Sequence, residues 1–134
     1  MYITTTQYNI IINHVKKETP NEACGVLAGK DEEVKKVYPM TNTSDRPELC
    51  YFMEPKEQFA VMKEIRNSGL EMVSIYHSHL ETEAYPSAHD VELAYYQDVS
   101  YVIVSLKDKD NPSIRSFKII EGKITEEELK IVYS

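Results

Sequence analysis

Four side chains that could bind a metal ion or assist a reaction are clustered between positions 77 and 90. His77 and His79 are two residues apart, and after seven further residues come Ser87 and Asp90, which are three apart. Two imidazole nitrogens and one carboxylate form a ligand set that suits Zn²⁺. Three protein ligands leave the fourth tetrahedral position for water, as in catalytic zinc sites. The residue types and their order therefore predict a catalytic metal centre.

A strand end and a helix start are expected to position these donors. The segment 71–79 alternates, and residues two apart on a strand share a face. The face that carries Val73 and Ile75 should therefore continue into the two histidines. After a loop, Ser87 has the residue type of a helix N-cap, with Asp90 in the first turn. Both imidazoles and the carboxylate can then meet where the strand ends.

Each part of this pattern also has a purely structural interpretation. A His-x-His pair at a strand end is usually not a ligand pair, and Ser-x-x-Asp before an apolar helix is more often a helix cap. His89 is a further donor beside Asp90, but it should point about 100° away around the helix. The metal hypothesis rests on the combination of the parts.

The combined pattern resembles the JAMM signature of the MPN+ metalloproteases. That signature is a glutamate, then His-x-His, seven residues, and Ser-x-x-Asp. The family's glutamate lies in a turn before a glycine-containing strand, and the segment 20–29 is similar to it, with Glu22 at the matching position. Every position of the signature is filled, and the resemblance covers nearly the whole chain, so residues 1–134 are expected to be a single JAMM/MPN+ domain.

The resemblance implies a role for each of these side chains. His77, His79 and Asp90 would hold Zn²⁺, Glu22 would be the general base, and Ser87 would help to hold the oxyanion. Zinc lowers the pKa of bound water from about 15.7 to about 7, and a carboxylate that is not a ligand can take the water proton. Taken alone, Glu22 could equally be a solvated loop carboxylate, and Ser87 only a helix cap.

The resemblance also implies a substrate class. JAMM enzymes cleave peptide or isopeptide bonds after the flexible Gly-Gly tail of ubiquitin-like proteins, and small prokaryotic members act on sulfur-carrier proteins or their adducts. This short chain is similar to those small members. A thin tail could bind as an added strand beside the sheet, in a groove too narrow for side chains other than glycine. The loops 41–49 and 80–85 are the candidates for shaping that groove.

Other classes remain as alternatives. A zinc nucleobase deaminase would need a Pro-Cys-x-x-Cys ligand pair, which the chain lacks. A non-haem iron oxygenase also uses two histidines and a carboxylate, although Glu22 and Ser87 favour hydrolysis. A non-catalytic MPN-type scaffold would typically lack the ligands. Relatives of the RadC type carry Asn between the histidines, where this chain has Ser78.

Composition excludes several kinds of partner. The 134 residues suffice for one domain with a real core. The net charge of −7 argues against a nucleic-acid backbone as partner. No apolar run is long enough for a membrane helix, and the first residues lack the basic segment of a secretory signal. Two cysteines are too few for a disulfide framework, so the expected compartment is the cytoplasm. A homodimer remains possible.

Periodicity and turn residues predict an α/β fold, a mixed β-sheet flanked by helices. The JAMM resemblance implies the same fold, related to the cytidine-deaminase architecture. Helices are expected at 4–18 with Thr6 as a possible cap, at 55–68 with Phe59, Met62 and Ile65 on the inner face, and at 87–97. Strands are expected at 24–30, 33–40, 50–53, 71–79, 99–106, 114–121 and 129–133, unless residues 126–128 begin a short helix.

Overall fold

In the computed structural model, which describes residues 1–134, eight strands form one mixed sheet and helices cover both of its faces. None of the helices has the length and apolarity needed to cross a membrane. In chain order the elements are β1 Tyr2–Thr4, α1 Thr5–Lys17, β2 Cys24–Lys30, β3 Glu33–Met40, α2 Pro55–Asn67, β4 Glu71–His79, α3 Ala88–Glu92, β5 Ser100–Ser105, β6 Ser113–Ile120, β7 Lys123–Glu127 and β8 Lys130–Val132.

The sheet is curled, because the two strands at its opposite edges follow each other in the chain. The strand order is β7-β6-β5-β4-β2-β3-β1-β8, with β7 and β8 at the edges. Only Glu128 and Leu129 connect these two strands. Three steps along the chain span at most about 11 Å, so the edges must approach each other. Strand β4 lies in the middle, antiparallel to β2 and parallel to β5.

Each face of the sheet has its own apolar core. Helix α1 packs against one face and helix α2 against the other, and all residues of β5 are buried between them. This burial confirms that β5 is a central strand covered on both sides. The first core includes Ile3, Ile11, Val15, Leu27, Tyr76 and Val102. The second includes Cys24, Val26, Ile65, Ile75 and Tyr101.

The first helix begins with a capping box at Thr4, not at Thr6 as predicted. The Thr4 hydroxyl accepts from the Gln7 N–H at 3.1 Å, and the Gln7 side chain accepts from the Thr4 N–H at 2.9 Å. The strand β1 before it was missed. Its partners β3 and β8 lie far along the chain, so no local pattern marks it.

The second helix matches its prediction except for its inner face. Pro55 occupies the first turn, and Gly69, with φ of 72°, follows the C-terminus. Phe59 was expected to face the sheet but is 75% exposed. The stripe that packs on the second core runs through Val61, Met62 and Ile65, so Phe59 lies outside it.

Two further predictions about elements were wrong, and one alternative is not observed. Residues 50–53 form no strand beyond one isolated bridge between Asn42 and Met53. Helix α3 ends at Glu92, because the Tyr101 hydroxyl bonds both the N–H and the carbonyl of Tyr96, at 3.0 and 3.1 Å, outside any helix. Residues 126–128 begin no helix, and the last predicted strand is preceded by the missed strand β7.

A bulge in β4 changes which residues share the face of the histidines. Pairing with β2 passes from Leu27 opposite Ser74 to Ala28 opposite Met72, so Val73 is an extra residue. Val73 consequently packs on the first core, whereas Ile75 packs on the second. The predicted shared face therefore holds from Ile75 onward but not for Val73.

We expect Gly25→Ala to destabilise the protein by about 1–3 kcal/mol, as overpacking of a filled core does. A Cβ at Gly25 would overlap the ring of Tyr76. That ring is fully buried, and its hydroxyl bonds Nδ1 of His14 at 2.7 Å, so it has no room to move away. Urea unfolding in the presence of a metal chelator measures the change. In a Tyr76→Leu background the cost should largely vanish; an equal cost in both backgrounds would show that the clash is not with this ring.

Candidate metal centre

Three donor atoms meet at the end of β4, where the sequence predicted them. Nε2 of His77 and Nε2 of His79 are 3.2 Å apart, and they lie 3.2 and 3.0 Å from Oδ2 of Asp90. Ligand atoms about 2.0–2.1 Å from a tetrahedral ion lie about 3.3 Å from one another. The spacing of the three donors therefore fits a metal ion held between them.

The hydrogen bonding of His79 leaves a lone pair directed at this point. Nδ1 of His79 lies 2.8 Å from the carbonyl oxygen of Glu83, which can only accept. Nδ1 must therefore carry the proton, and in the neutral ring Nε2 is unprotonated. An outer hydrogen bond of this kind orients histidine ligands in metal sites. Two imidazoles and a carboxylate that meet in this way can hold a cation between them.

Asp90 is held in place by the start of helix α3. Ser87 is the N-cap: its hydroxyl accepts from the Asp90 N–H at 3.1 Å, and Oδ2 of Asp90 accepts from the Ser87 N–H at 2.9 Å. Burial alone would raise the pKa of Asp90, but the adjacent imidazoles of His77 and His79 and the hydrogen bond from the Ser87 N–H outweigh it and lower the pKa. The carboxylate is therefore ionised and ready to bind a cation.

Glu22 lies across from His79 on the same face of the sheet. Cys24 pairs with His77, and continuing this antiparallel register by two residues places Glu22 opposite His79. The hydroxyl of Ser78 accepts from the Ala23 N–H at 2.8 Å, which ties this part of the chain to β4. The JAMM resemblance implied a carboxylate here, and the structure places it beside His79 and Asp90.

The environment of Glu22 favours its protonated form. The side chain is 6% exposed, and Oε1 has no hydrogen-bond partner. Burial is the main cause that raises its pKa to about 8; His79 opposes the rise and Asp90 adds to it. A carboxyl group with this proton affinity can exchange a proton at neutral pH.

A cavity of about 1000 Å³ opens beside these residues and is lined by Glu22, His79 and Ser87. Both loops that were expected to shape a groove contribute to its wall, through Glu48 and Leu49 and through residues 80–82. No sequence pattern predicted the remaining lining side chains, which are Lys16, Thr19, Pro20, Leu106 and Lys109.

Two donors near the centre take no part in it. His89 is exposed and outside the group that could hold an ion, as its place on the helix predicted. Cys24 is fully buried, and burial is the main cause that raises the pKa of its thiol to about 12, so it packs as an apolar residue.

Tyr51 is a contact that the sequence did not predict. Its ring stacks on that of His77, with centroids 4.7 Å apart and planes 27° from parallel. Nδ1 of His77 is buried and has no hydrogen-bond partner. Stacking on Tyr51 therefore restrains this ring in place of the outer hydrogen bond that orients His79. The one signal in the sequence that could have indicated this contact is the position of Tyr51, an aromatic residue near the end of a polar loop.

The chain matches a family model described as prokaryotic homologs of the JAB domain over residues 5–120. It belongs to that family. The CysO-cysteine peptidase of Mycobacterium tuberculosis is 40% identical over 126 residues, which cover 92% of this chain and 86% of that protein. The desampylase of Haloferax volcanii is 34% identical over 101 residues, covering 71% of this chain and 73% of that protein. The JAMM resemblance is thereby confirmed, and the chain is a hydrolytic metallopeptidase of the JAMM type.

Solved structures agree on the fold. A protein of Desulfitobacterium hafniense, solved in solution, superposes with a TM-score of 0.90 at 35% identity and covers 99% of this chain and 93% of its own. A JAB1/MPN domain protein of Archaeoglobus fulgidus superposes with a TM-score of 0.67 at 20% identity, covering 98% and 99%. The predicted α/β class, a mixed sheet flanked by helices, is confirmed.

Proposed function

We propose that this metallopeptidase is zinc-dependent and hydrolyses the peptide or isopeptide bond after the C-terminal Gly-Gly tail of a ubiquitin-like or sulfur-carrier protein. The observation that carries the proposal is the carboxyl group of Glu22. It is buried and lacks a partner at Oε1, and it lies on the same face of the sheet as His77 and His79, near Asp90. Burying a polar group without a hydrogen bond costs stability, which a proton-transfer role in a reaction would explain.

His77, His79 and Asp90 would hold the zinc ion. Two neutral imidazoles and one carboxylate are the ligands that zinc takes in several hydrolytic sites, with a fourth position left open. When bound, the ion would supply Lewis acidity and a water molecule with a pKa near 7. The lone pair of His79 and the ionised Asp90 are already directed for that purpose.

Glu22 would act as general base and then as general acid. The carboxyl group lines the cavity, and Oε1 has no competing hydrogen bond, so the group can turn to accept the proton of the attacking water. The same group can return that proton to the leaving amine. Burial raises the pKa of Glu22, and this higher proton affinity suits a carboxylate that takes up a proton and then returns it.

Ser87 would hold the oxygen of the scissile carbonyl. As N-cap, its hydroxyl accepts a hydrogen bond from the Asp90 N–H, which uses a lone pair and leaves its proton free. Donation of that proton to the developing oxyanion would stabilise the transition state. The cap and the catalytic role are therefore compatible in one hydroxyl group.

The names of the relatives support the substrate class. They include a CysO-cysteine peptidase, desampylases and a probable TtuB-protein conjugate cleaving protease. The cavity beside Glu22 lies between two loops and could admit a thin tail. The acidic balance of the chain favours a protein substrate over nucleic acid. We place the reaction in the cytoplasm, in keeping with the free thiols of Cys24 and Cys50.

Metal content and cleavage specificity test the proposal together. Elemental mass spectrometry of protein purified without added metal should find about one zinc per chain. A sulfur-carrier protein joined through Gly-Gly to cysteine should be cut after the second glycine, and the same fusion with a Val-Val tail should not. Stoichiometric iron would favour an oxygenase, and failure to bind offered zinc would indicate a scaffold. Cleavage of an unfolded protein at many sites would contradict the tail specificity.

A further inference from the structure

The side-chain amide of Asn42 joins the loop 41–53 to the backbone of Glu22. Its Nδ2 donates to the carbonyl oxygen of Glu22 at 2.9 Å and to that of Cys50 at 3.1 Å, with a longer contact to Pro47 at 3.4 Å. Its Oδ1 accepts from two N–H groups of the same loop, those of Ser44 at 3.0 Å and Phe52 at 3.1 Å. The whole hydrogen-bonding capacity of this amide is therefore used within the loop and on Glu22.

The loop 41–53 forms hydrogen bonds with both main-chain polar groups of Glu22, its N–H and its carbonyl. The Glu22 N–H donates to the carbonyl oxygen of Pro47 at 2.7 Å, and the Glu22 carbonyl accepts from Asn42. Glu22 precedes β2, so no strand ladder holds these two groups. The loop 41–53 supplies both bonds.

The position of the Glu22 carboxyl group depends on these two main-chain hydrogen bonds. Oε1 of Glu22 has no hydrogen-bond partner that could fix the side chain from its far end. A general base must lie within about 2.6–3.2 Å of the proton that it takes, and a displacement of about 1 Å can lower a rate about 10²-fold. We propose that Asn42 is a positioning residue that holds the main chain of Glu22 in register with His79. This inference rests on the proposed hydrolysis.

A double-mutant cycle with Glu22 tests whether Asn42 acts through it. Asn42→Ala should lower kcat about 10–10²-fold and leave the zinc content at the wild-type value. In a Glu22→Gln background the same change should lower the residual rate by less than about 3-fold, because residues that act as a unit are not additive. If the loss of kcat in the double variant equals the product of the two single-variant losses, the proposal is overturned.

Two variants separate this role from general support of the loop. Thr43→Ala is the matched control: its hydroxyl bonds the carbonyl of Phe52 at 3.1 Å in the same loop but has no bond to Glu22, so kcat should stay within about 2-fold of wild type. Asn42→Asp keeps the oxygen that accepts from Ser44 and Phe52 but cannot donate to Glu22. It should lose kcat as Asn42→Ala does; wild-type kcat in a folded Asn42→Asp protein would contradict the proposal.

Amide hydrogen exchange provides a readout that does not need activity. The Glu22 N–H should exchange at least about 10-fold faster in Asn42→Ala than in the wild type, whereas amides in the β2–β4 ladder keep their protection. If the wild-type protein cleaves no Gly-Gly tail, the proposed hydrolysis fails. The exchange rate at Glu22 then decides whether Asn42 holds this main chain, and an unchanged rate rejects that role.

Discussion

Glu22→Gln should lower kcat by about 10²–10⁴-fold, the range that general acid–base catalysis contributes, while the zinc content stays at the wild-type value. Glutamine has the same shape but cannot take a proton from water. Because burial raises the pKa of Glu22 to about 8, the folded protein already tolerates an uncharged side chain at this position. The variant should therefore fold as well as the wild type, and the loss should lie in turnover.

The measurement is steady-state cleavage of the Gly-Gly fusion, combined with elemental analysis of the same samples. Glu92→Gln is the matched control, because Glu92 is exposed and lies outside the lining of the cavity. It should retain turnover within about 2-fold, as surface substitutions usually do. Wild-type turnover in Glu22→Gln would end the assignment of Glu22 as the base.

Asp90→Ala should weaken zinc binding by more than about 10²-fold, whereas His89→Ala should leave it unchanged. Loss of an outer-shell partner of a metal site typically costs about 10–100-fold in affinity, and loss of a direct ligand should cost more. The neighbouring His89 is exposed and lies outside the group formed by His77, His79 and Asp90.

Competition with a chromophoric chelator measures both affinities. Asp90→Ala also removes the hydrogen bond from the Ser87 N–H to the Asp90 carboxylate, which is part of the helix cap. Asp90→Asn is therefore a second variant to measure, because its amide oxygen can still accept that bond. Asn would be an uncharged and weaker ligand, so zinc affinity should fall there too. If His89→Ala lost zinc and Asp90→Ala kept it, the register of helix α3 would be wrong.

The donors of the metal centre could be predicted because each depends on neighbours in the chain. A strand places residues two apart on one face, and a capping box fixes Asp90 relative to Ser87 within one turn. Both relations are present in the structure. The position of Glu22 depended on the family resemblance, since a single glutamate in a loop carries no signal of its own. The catalytic roles of Glu22 and Ser87 stay predictions until the variants are measured.

The features that were missed depend on contacts between distant residues. Tyr101 ends helix α3 by bonding Tyr96, and Tyr51 restrains His77 by stacking, and neither contact has a local pattern. Asn42 is similar: an asparagine in a polar loop is ordinary, and only the folded chain shows that it bonds Glu22. The bulge at Val73 likewise follows from pairing with β2 and not from the alternation of β4 itself.

The place of β4 in the middle of the curled sheet restricts the direction from which a substrate can approach. A tail added beyond β7 would lie four strand spacings from β4, and one beyond β8 would lie five. At about 4.8 Å per spacing, the nearer position is about 19 Å away along the sheet. A tail paired with either edge would therefore lie several strands from His77 and His79 along the sheet. For the proposed Gly-Gly tail, the two loops beside the cavity are the nearer backbone partners, at the ends of the strands.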